Sequence, residues 1–170
     1  MEAALTYRTL DFTERKTYLA AALFVIGNIV LPRICHSFTM GGPTWLPIYF
    51  FTLIGAYKYG WKVGMMTAIL SPVVNSVLFG MPVVALLPVI LIKSLLLAGI
   101  ASAVSHKFRK ASILLLAVTV LGYQFAGSLV EWAVTGSFRM AIADFSIGLP
   151  GMLVQIFGGW LVLGKLLGSK

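Results

Sequence analysis

Apolar residues dominate six stretches of the chain, and polar, charged or turn-forming residues cluster between them. The runs cover residues 17–31, 45–57, 60–79, 83–104, 111–134 and 145–163. A helix that crosses the hydrocarbon core of a bilayer needs about 20 apolar residues, and most of the runs come close to that length. The second run is shorter, which predicts a tilted or shallow segment. The pattern therefore predicts an all-α membrane protein, a compact bundle of six transmembrane helices.

The composition agrees with a bilayer environment. The chain is 59% hydrophobic and only 11% charged, whereas an ordinary soluble domain has about 25% charged residues. A soluble core cannot absorb this much apolar sequence, so the lipid bilayer is an expected partner. Six spans with short loops use the whole length. We therefore expect one domain over residues 1–170, in which residues 1–16 form a polar N-terminal arm.

The basic residues predict the orientation of the spans. If the spans alternate from a cytoplasmic N-terminus, only Arg33 and Arg139 fall outside and Lys93 lies within a span. Ten others fall on the cytoplasmic side: Arg8, Arg15, Lys16, Lys58, Lys62, Lys107, Arg109, Lys110, Lys165 and Lys170. This is the positive-inside pattern, and it predicts that both termini are cytoplasmic. Because these cations are spread over several short loops and tails, the net charge of +8 does not predict binding to nucleic acid.

Lys93 is the most unusual residue of the chain because it lies near the middle of the fourth run. A cation at mid-membrane costs about 2.5–3.5 kcal/mol on insertion scales. A functional interpretation places Lys93 in a pocket, paired with an anionic group of a substrate or with Glu131. The alternatives are a structural ion pair and a lysine that reaches the membrane surface.

Further polar residues recur on one side of the predicted helices. Gln124, Ser128 and Glu131 share a face because Glu131 follows Gln124 by seven residues. In the third run, Ser71 and Asn75 also share a face, because Asn75 follows Ser71 by four residues. Each residue alone is typical of a helix–helix hydrogen bond, but together they favour a cavity that opens outward.

The pattern predicts a ligand site and no catalytic or metal site. The predicted ligand-binding residues are Lys93, Asn75, Gln124 and Glu131, and His36 and Trp45 lie on the same outer side. Cys35 and His36 could form half of a metal site, but one cysteine and two histidines in the chain do not favour it. No nucleotide-binding or metalloprotease motif is present. We therefore expect neither an enzyme nor a cofactor.

Residues 33–82 carry a resemblance to a known family. The motifs, in chain order, are His36-x-Phe38, Gly41-Gly42-Pro43, Leu46-Pro47, Tyr59-Gly60 with Gly64, Ser71-Pro72 and Gly80-Met81-Pro82. This order resembles the substrate-binding S components of energy-coupling factor (ECF) transporters. The resemblance implies a multi-pass protein of a prokaryotic plasma membrane, which captures a vitamin or similar water-soluble micronutrient from outside. It also implies partners, namely a transmembrane coupling subunit and two ATPase subunits.

The resemblance assigns further roles to particular residues. It implies that residues 36–45 form a lid over the ligand, which places the predicted ligand-binding residues His36, Phe38 and Trp45 at the entrance. Many members carry an Ala-x-x-x-Ala docking motif in the first helix, where this chain has Ala20, Ala21 and Ala22. Cobalt and nickel S components begin with Met-His, whereas this chain begins Met1-Glu2, which disfavours a metal substrate.

Two other classes of protein fit part of the pattern. In a six-span scaffold or assembly protein without transport activity, the polar residues would only hold helices together. In a small membrane enzyme that acts on lipid, Glu131 and Asp144 would supply the carboxylates. The missing nucleophile and metal ligands disfavour the enzyme.

Overall fold

The computed structural model describes residues 3–4, 9–35, 37 and 41–166, and these residues are almost entirely helical. The helices are α1 (Arg15–Cys35), α2 (Gly41–Trp45), α3 (Phe50–Tyr59), α4 (Trp61–Phe79), α5 (Leu87–Phe108), α6 (Ile113–Thr135), α7 (Phe138–Ile147), α8 (Leu149–Leu153) and α9 (Gly159–Leu161). A 3-10 turn spans Pro47–Tyr49, and π-type turns span Val154–Gly158 and Val162–Leu166. Two short strands, β1 (Ala3–Ala4) and β2 (Lys110–Ala111), pair antiparallel.

Four helices of the described residues are long and apolar enough to cross a membrane, namely α1, α4, α5 and α6. A fifth crossing results if α7 and the helical segment that follows it form one span, bent by 55°. The prediction of a helical membrane protein is confirmed at this level. The predicted count of six spans is not confirmed, because the second predicted run contains only a short helix and the last belongs to a bent segment.

The second run is broken at Leu46-Pro47. Leu46 adopts a left-handed conformation with a φ of 46°, and Pro47 begins the 3-10 turn, where its missing N–H is not needed. The ten residues of α3 are too few to cross a bilayer core of about 30 Å at 1.5 Å per residue. All residues from Thr52 to Tyr57 are buried. Helix α3 is therefore a short central helix that α1, α4 and α5 surround.

Small residues let these helices approach closely. A Cβ atom added at Gly64 of α4 would lie 2.5 Å from the Cβ of Ala56 on α3 and 3.2 Å from the Cβ of Ala98 on α5. Where lipid tails remove the hydrophobic drive for association, such close backbone contact is a main source of helix packing. Gly64 is therefore part of the junction of three helices inside the bundle.

The N-terminal arm, the α3–α4 turn and the α5–α6 loop meet at one end of the bundle, called here the lower end. The backbone N–H of Leu10 donates to the carbonyl of Tyr59 at 3.2 Å, and Lys62 Nζ lies 2.6 Å from Asp11 Oδ1. The hydrogen bond from Lys62 holds the pKa of the Asp11 carboxyl below its ordinary value. The upper end is where α1 and α4 finish and α5 begins.

The charged residues are distributed unequally between these ends. Among the described residues, the helix ends and loops of the lower end carry Arg15, Lys16, Lys58, Lys62, Lys107, Arg109 and Lys110. Arg33 ends α1 at the upper end, and Arg139 lies in α7, directly after α6 reaches that end. These seven residues of the group predicted from the sequence therefore share one end of the fold.

Candidate functional site

A partly open cavity of about 600 Å³ lies at the upper end of the bundle. The end of α1, the segment 42–49, the end of α4, the segment 81–90, and single residues of α5 and α6 line it. Its wall is largely apolar, and Asn75, Lys93 and Glu131 supply polar groups within it. Small-molecule sites are typically cavities of about 300–1,000 Å³ with a few polar groups among apolar ones. The cavity therefore has the size and lining of a site for a small organic ligand.

Lys93 and Glu131 form a buried ion pair on the cavity wall. Lys93 Nζ lies 2.5 Å from Glu131 Oε2, and the two side chains are 1% and 10% exposed. Helices α5 and α6 run in opposite directions here, so Lys93 lies beside Gly127, one turn before Glu131. A Cβ atom at Gly127 would lie 2.6 Å from Lys93 Cγ. The missing side chain of Gly127 therefore provides the space in which the lysine stem crosses α6 to reach Glu131.

Asn75 is a further polar residue of the wall, and Asn28 of α1 holds it in place. Asn75 Nδ2 donates to the carbonyls of Asn28 and Ser71, each at 2.9 Å. Asn28 Nδ2 in turn donates to Thr52 Oγ1 at 3.0 Å and to Ser71 Oγ at 3.1 Å, and its Oδ1 accepts from the N–H of Phe51 at 3.0 Å. That N–H belongs to the first turn of α3, where a helix has no internal acceptor. The network ties α1, α3 and α4 together, and its bonds at Asn75 use the amide nitrogen, so the amide oxygen is the group that Asn75 can offer to a ligand.

Gln124 does not line the cavity. Its side chain is fully buried, and neither Oε1 nor Nε2 has a hydrogen-bond partner among the described residues. The hydroxyls of Ser94 and Ser128 are likewise buried without a hydrogen-bond partner among the described residues. Of the polar stripe predicted on α6, Glu131 reaches the cavity, whereas Gln124 as a ligand contact stays a prediction.

A second polar contact links the cavity wall to the last helical segment. Tyr49 lines the cavity, and its ring centroid lies 5.6 Å from that of Tyr123 on α6. The Tyr123 hydroxyl donates to Gln155 Oε1 at 3.0 Å. Gln155 lies in a π-type turn, a geometry that is frequent at functional sites.

The predicted entrance is seen only in part. His36 and Phe38 lie outside the described residues. Trp45 is 41% exposed and is not on the cavity wall, although the next four residues are. Its backbone carbonyl lies against α8, where a Cβ atom at Gly151 would be 2.5 Å away. The main chain of this segment, packed on α8, thus forms one side of the cavity.

The three alanines suggested for partner docking differ in exposure. Ala21 is 1% exposed and belongs to the core, Ala20 is half-buried and Ala22 is exposed. Docking through this part of α1 stays a prediction, and Ala22 is the alanine whose side chain is accessible.

Arg33 and Phe79 line the cavity and were not among the predicted site residues. The Arg33 guanidinium lies 4.3 Å from the centroid of the Phe79 ring, and both residues line the cavity at the ends of α1 and α4. Arg33 follows Pro32 at the end of an apolar run and is one of two cations assigned to the outer side. That position was the signal available in the sequence. The partner ring could not be foreseen, because it lies on a helix distant in sequence.

The described residues contain no group of three His, Cys, Asp or Glu side chains placed to hold a metal ion. Comparison with protein-family models, curated proteins and solved structures finds no significant match for this chain.

Proposed function

We propose that the chain is the substrate-binding membrane subunit of an ECF-type importer, which captures a small water-soluble vitamin or related micronutrient from outside the cell. The observation that carries the proposal is the cavity with a buried ion pair on its wall. A buried charged pair in a membrane protein is expensive to insert and is a marker of function. The sequence motifs around residues 36–82 support the same interpretation.

In this proposal the chain crosses a prokaryotic plasma membrane six times and both termini are cytoplasmic. The segment that holds α2, the 3-10 turn and α3 serves as a short second crossing, and the segment from α7 to Leu166 serves as the sixth. The lower end, which gathers the cations of the loops, then faces the cytoplasm. The cavity opens outward, where a nutrient arrives.

The proposal requires partner subunits for transport. The chain would deliver its ligand through a transmembrane coupling subunit and two ATPase subunits, and the exposed face of α1 around Ala22 is the proposed docking surface. The rival is a six-span scaffold protein, and the Asn28 network shows that some polar residues do hold helices together. A scaffold gives no reason for a cavity lined by an ion pair.

A thermal-shift screen of the purified protein against water-soluble vitamins tests the proposal. A ligand that binds only the folded protein raises Tm by mass action, and at 100 times Kd it stabilises the fold by about 2.7 kcal/mol. We expect a small set of related compounds to raise Tm. An unchanged Tm with every compound favours the scaffold.

A further inference from the structure

The charges on the described part of the cavity wall do not cancel. Of the described residues on its wall, Arg33, Lys93 and Glu131 carry a formal charge. Lys93 and Glu131 neutralise each other at 2.5 Å. Arg33 is exposed and has no carboxylate within ion-pair distance among the described residues. One positive charge at the mouth is therefore left for a ligand to meet.

Phe79 holds that charge in place. Arg33 Cζ lies over the Phe79 ring, 4.3 Å from the ring centroid, and this cation–π contact restricts the position of the guanidinium. A guanidinium over a ring face keeps N–H groups available, and these can donate to the two oxygens of a carboxylate. The two residues thus form a positively charged site that suits a carboxylate.

The wall between the charged groups is apolar. Val83, Leu86, Val89 and Ile90 form one side of it, before Lys93 and on the same stretch of chain. A ligand that contacts Arg33 and also fills the cavity must lay an apolar body against these side chains. At its other end it can exchange hydrogen bonds with the ion pair or with the amide oxygen of Asn75.

We infer that the ligand is a small organic monoanion with an apolar body, whose carboxylate binds Arg33 at the cavity mouth. The inference rests on the proposed function and deepens it by naming the class of substrate. A carboxylate on Lys93 instead would have to displace Glu131 and leave that carboxylate buried without its partner, which is strongly unfavourable. A phosphate monoester carries about −1.5 to −2 at pH 7, so the single charge of a carboxylate balances the cavity better.

Matched pairs of acid and amide test the inference. The probes are biotin and biotinamide, lipoate and lipoamide, and nicotinate and nicotinamide, measured by equilibrium binding to the full-length protein in detergent. Within the pair that binds, we expect the acid to bind about tenfold more tightly than the amide, as for one charge-assisted hydrogen-bonded contact. Arg33→Gln should remove this preference. Arg139→Gln is the control, because it removes the same charge from an exposed residue that is not on the cavity wall.

The possible results separate the inference from the proposed function. If the amide binds as tightly as the acid, or if Arg33→Gln keeps the preference, the assignment of the anion to Arg33 is wrong while ligand binding stands. If Glu131→Gln strengthens acid binding and Arg33→Gln has no effect, the anion sits on Lys93 and the inference is overturned. If neither member of any pair binds while another vitamin raises Tm in the screen, the inference is overturned and the proposed function stands; if no vitamin raises Tm, the proposed function fails as well.

Discussion

Lys93 of α5 and Glu131 of α6 form an ion pair of 2.5 Å inside the bundle, on the wall of the cavity. The contact joins two antiparallel helices at a buried site, where a lone charge is very unfavourable. It also means that Lys93 does not present an isolated positive charge to a ligand. The sequence left open whether Lys93 pairs with a substrate or with Glu131, and the structure shows the pair with Glu131.

The two charges should depend on each other for stability. Lys93→Met and Glu131→Gln each leave one buried charge without its partner, so each should destabilise the fold by about 3–5 kcal/mol. The double variant should lose less than either single one, because it leaves no unpaired charge. Thermal unfolding of all four proteins measures this coupling. Additive losses in the double variant would mean that the ion pair contributes nothing to the fold.

Gly127 should be required for the path of the Lys93 stem. Gly127→Ala places a Cβ atom 2.6 Å from Lys93 Cγ and should lower Tm. Gly122→Ala on the same helix is the control, because its Cβ would meet Ile100 at an ordinary 3.8 Å. There, alanine in place of glycine should be neutral or stabilise the helix by about 0.5–1 kcal/mol.

A second variant shows whether the lower Tm of Gly127→Ala comes from crowding against the Lys93 side chain. In a Lys93→Ala background the crowded stem atoms are gone, so Gly127→Ala should lower Tm much less than in the wild type. An equal loss in both backgrounds would contradict this explanation.

Gln124 and Asn28 are both buried amides, yet they should respond in opposite ways to leucine. Gln124 has no hydrogen-bond partner among the described residues, so Gln124→Leu removes an unfavourable buried group and should keep or raise Tm. Asn28→Leu leaves Thr52, Ser71 and the Phe51 N–H without their partner, and each buried group left unpaired costs about 1–3 kcal/mol. Thermal unfolding compares the two, and a loss in Gln124→Leu as large as in Asn28→Leu would contradict the account.

The difference between these amides shows where sequence reasoning reached its limit. Hydropathy and turn signals locate α1, α4, α5 and α6 to within a few residues, because each is a long apolar run between polar loops. The same apolar pattern does not distinguish the face toward lipid from the face toward other helices. For this reason the sequence could not tell that Gln124 is buried among helices and is not one of the residues that line the cavity.

The broken segments were harder to predict for a related reason. Leu46-Pro47 could equally interrupt a span or sit at its start, and the choice depends on the packing of Trp45 against Gly151 of α8. The Arg33–Phe79 contact joins the ends of two helices that are far apart in sequence. Both features depend on tertiary contacts, which the periodicity of a single helix does not encode.

The topology of the chain can be tested with its single cysteine. Cys35→Ser gives a background without thiols, into which one cysteine is placed at Thr9, Ser112, Ser137 or Ser169. With six crossings, a membrane-impermeant maleimide applied to intact cells should label only the cysteine at 137. The cysteines at 9, 112 and 169 should react after the cells are opened. Labelling at 169 in intact cells would indicate five crossings and a C-terminus outside.

The most direct test of the account is whether obstructing the cavity abolishes ligand binding. Val89 lies on the cavity wall and Val77 is 77% exposed on α4, away from that wall. We predict that the indole of Val89→Trp occupies part of the cavity and removes binding of the vitamin that stabilises the wild-type protein, while Val77→Trp binds it with unchanged Kd. Both variants should keep their fold, as judged by circular dichroism and Tm without ligand. Unchanged binding by a folded Val89→Trp protein would show that this cavity is not the ligand site.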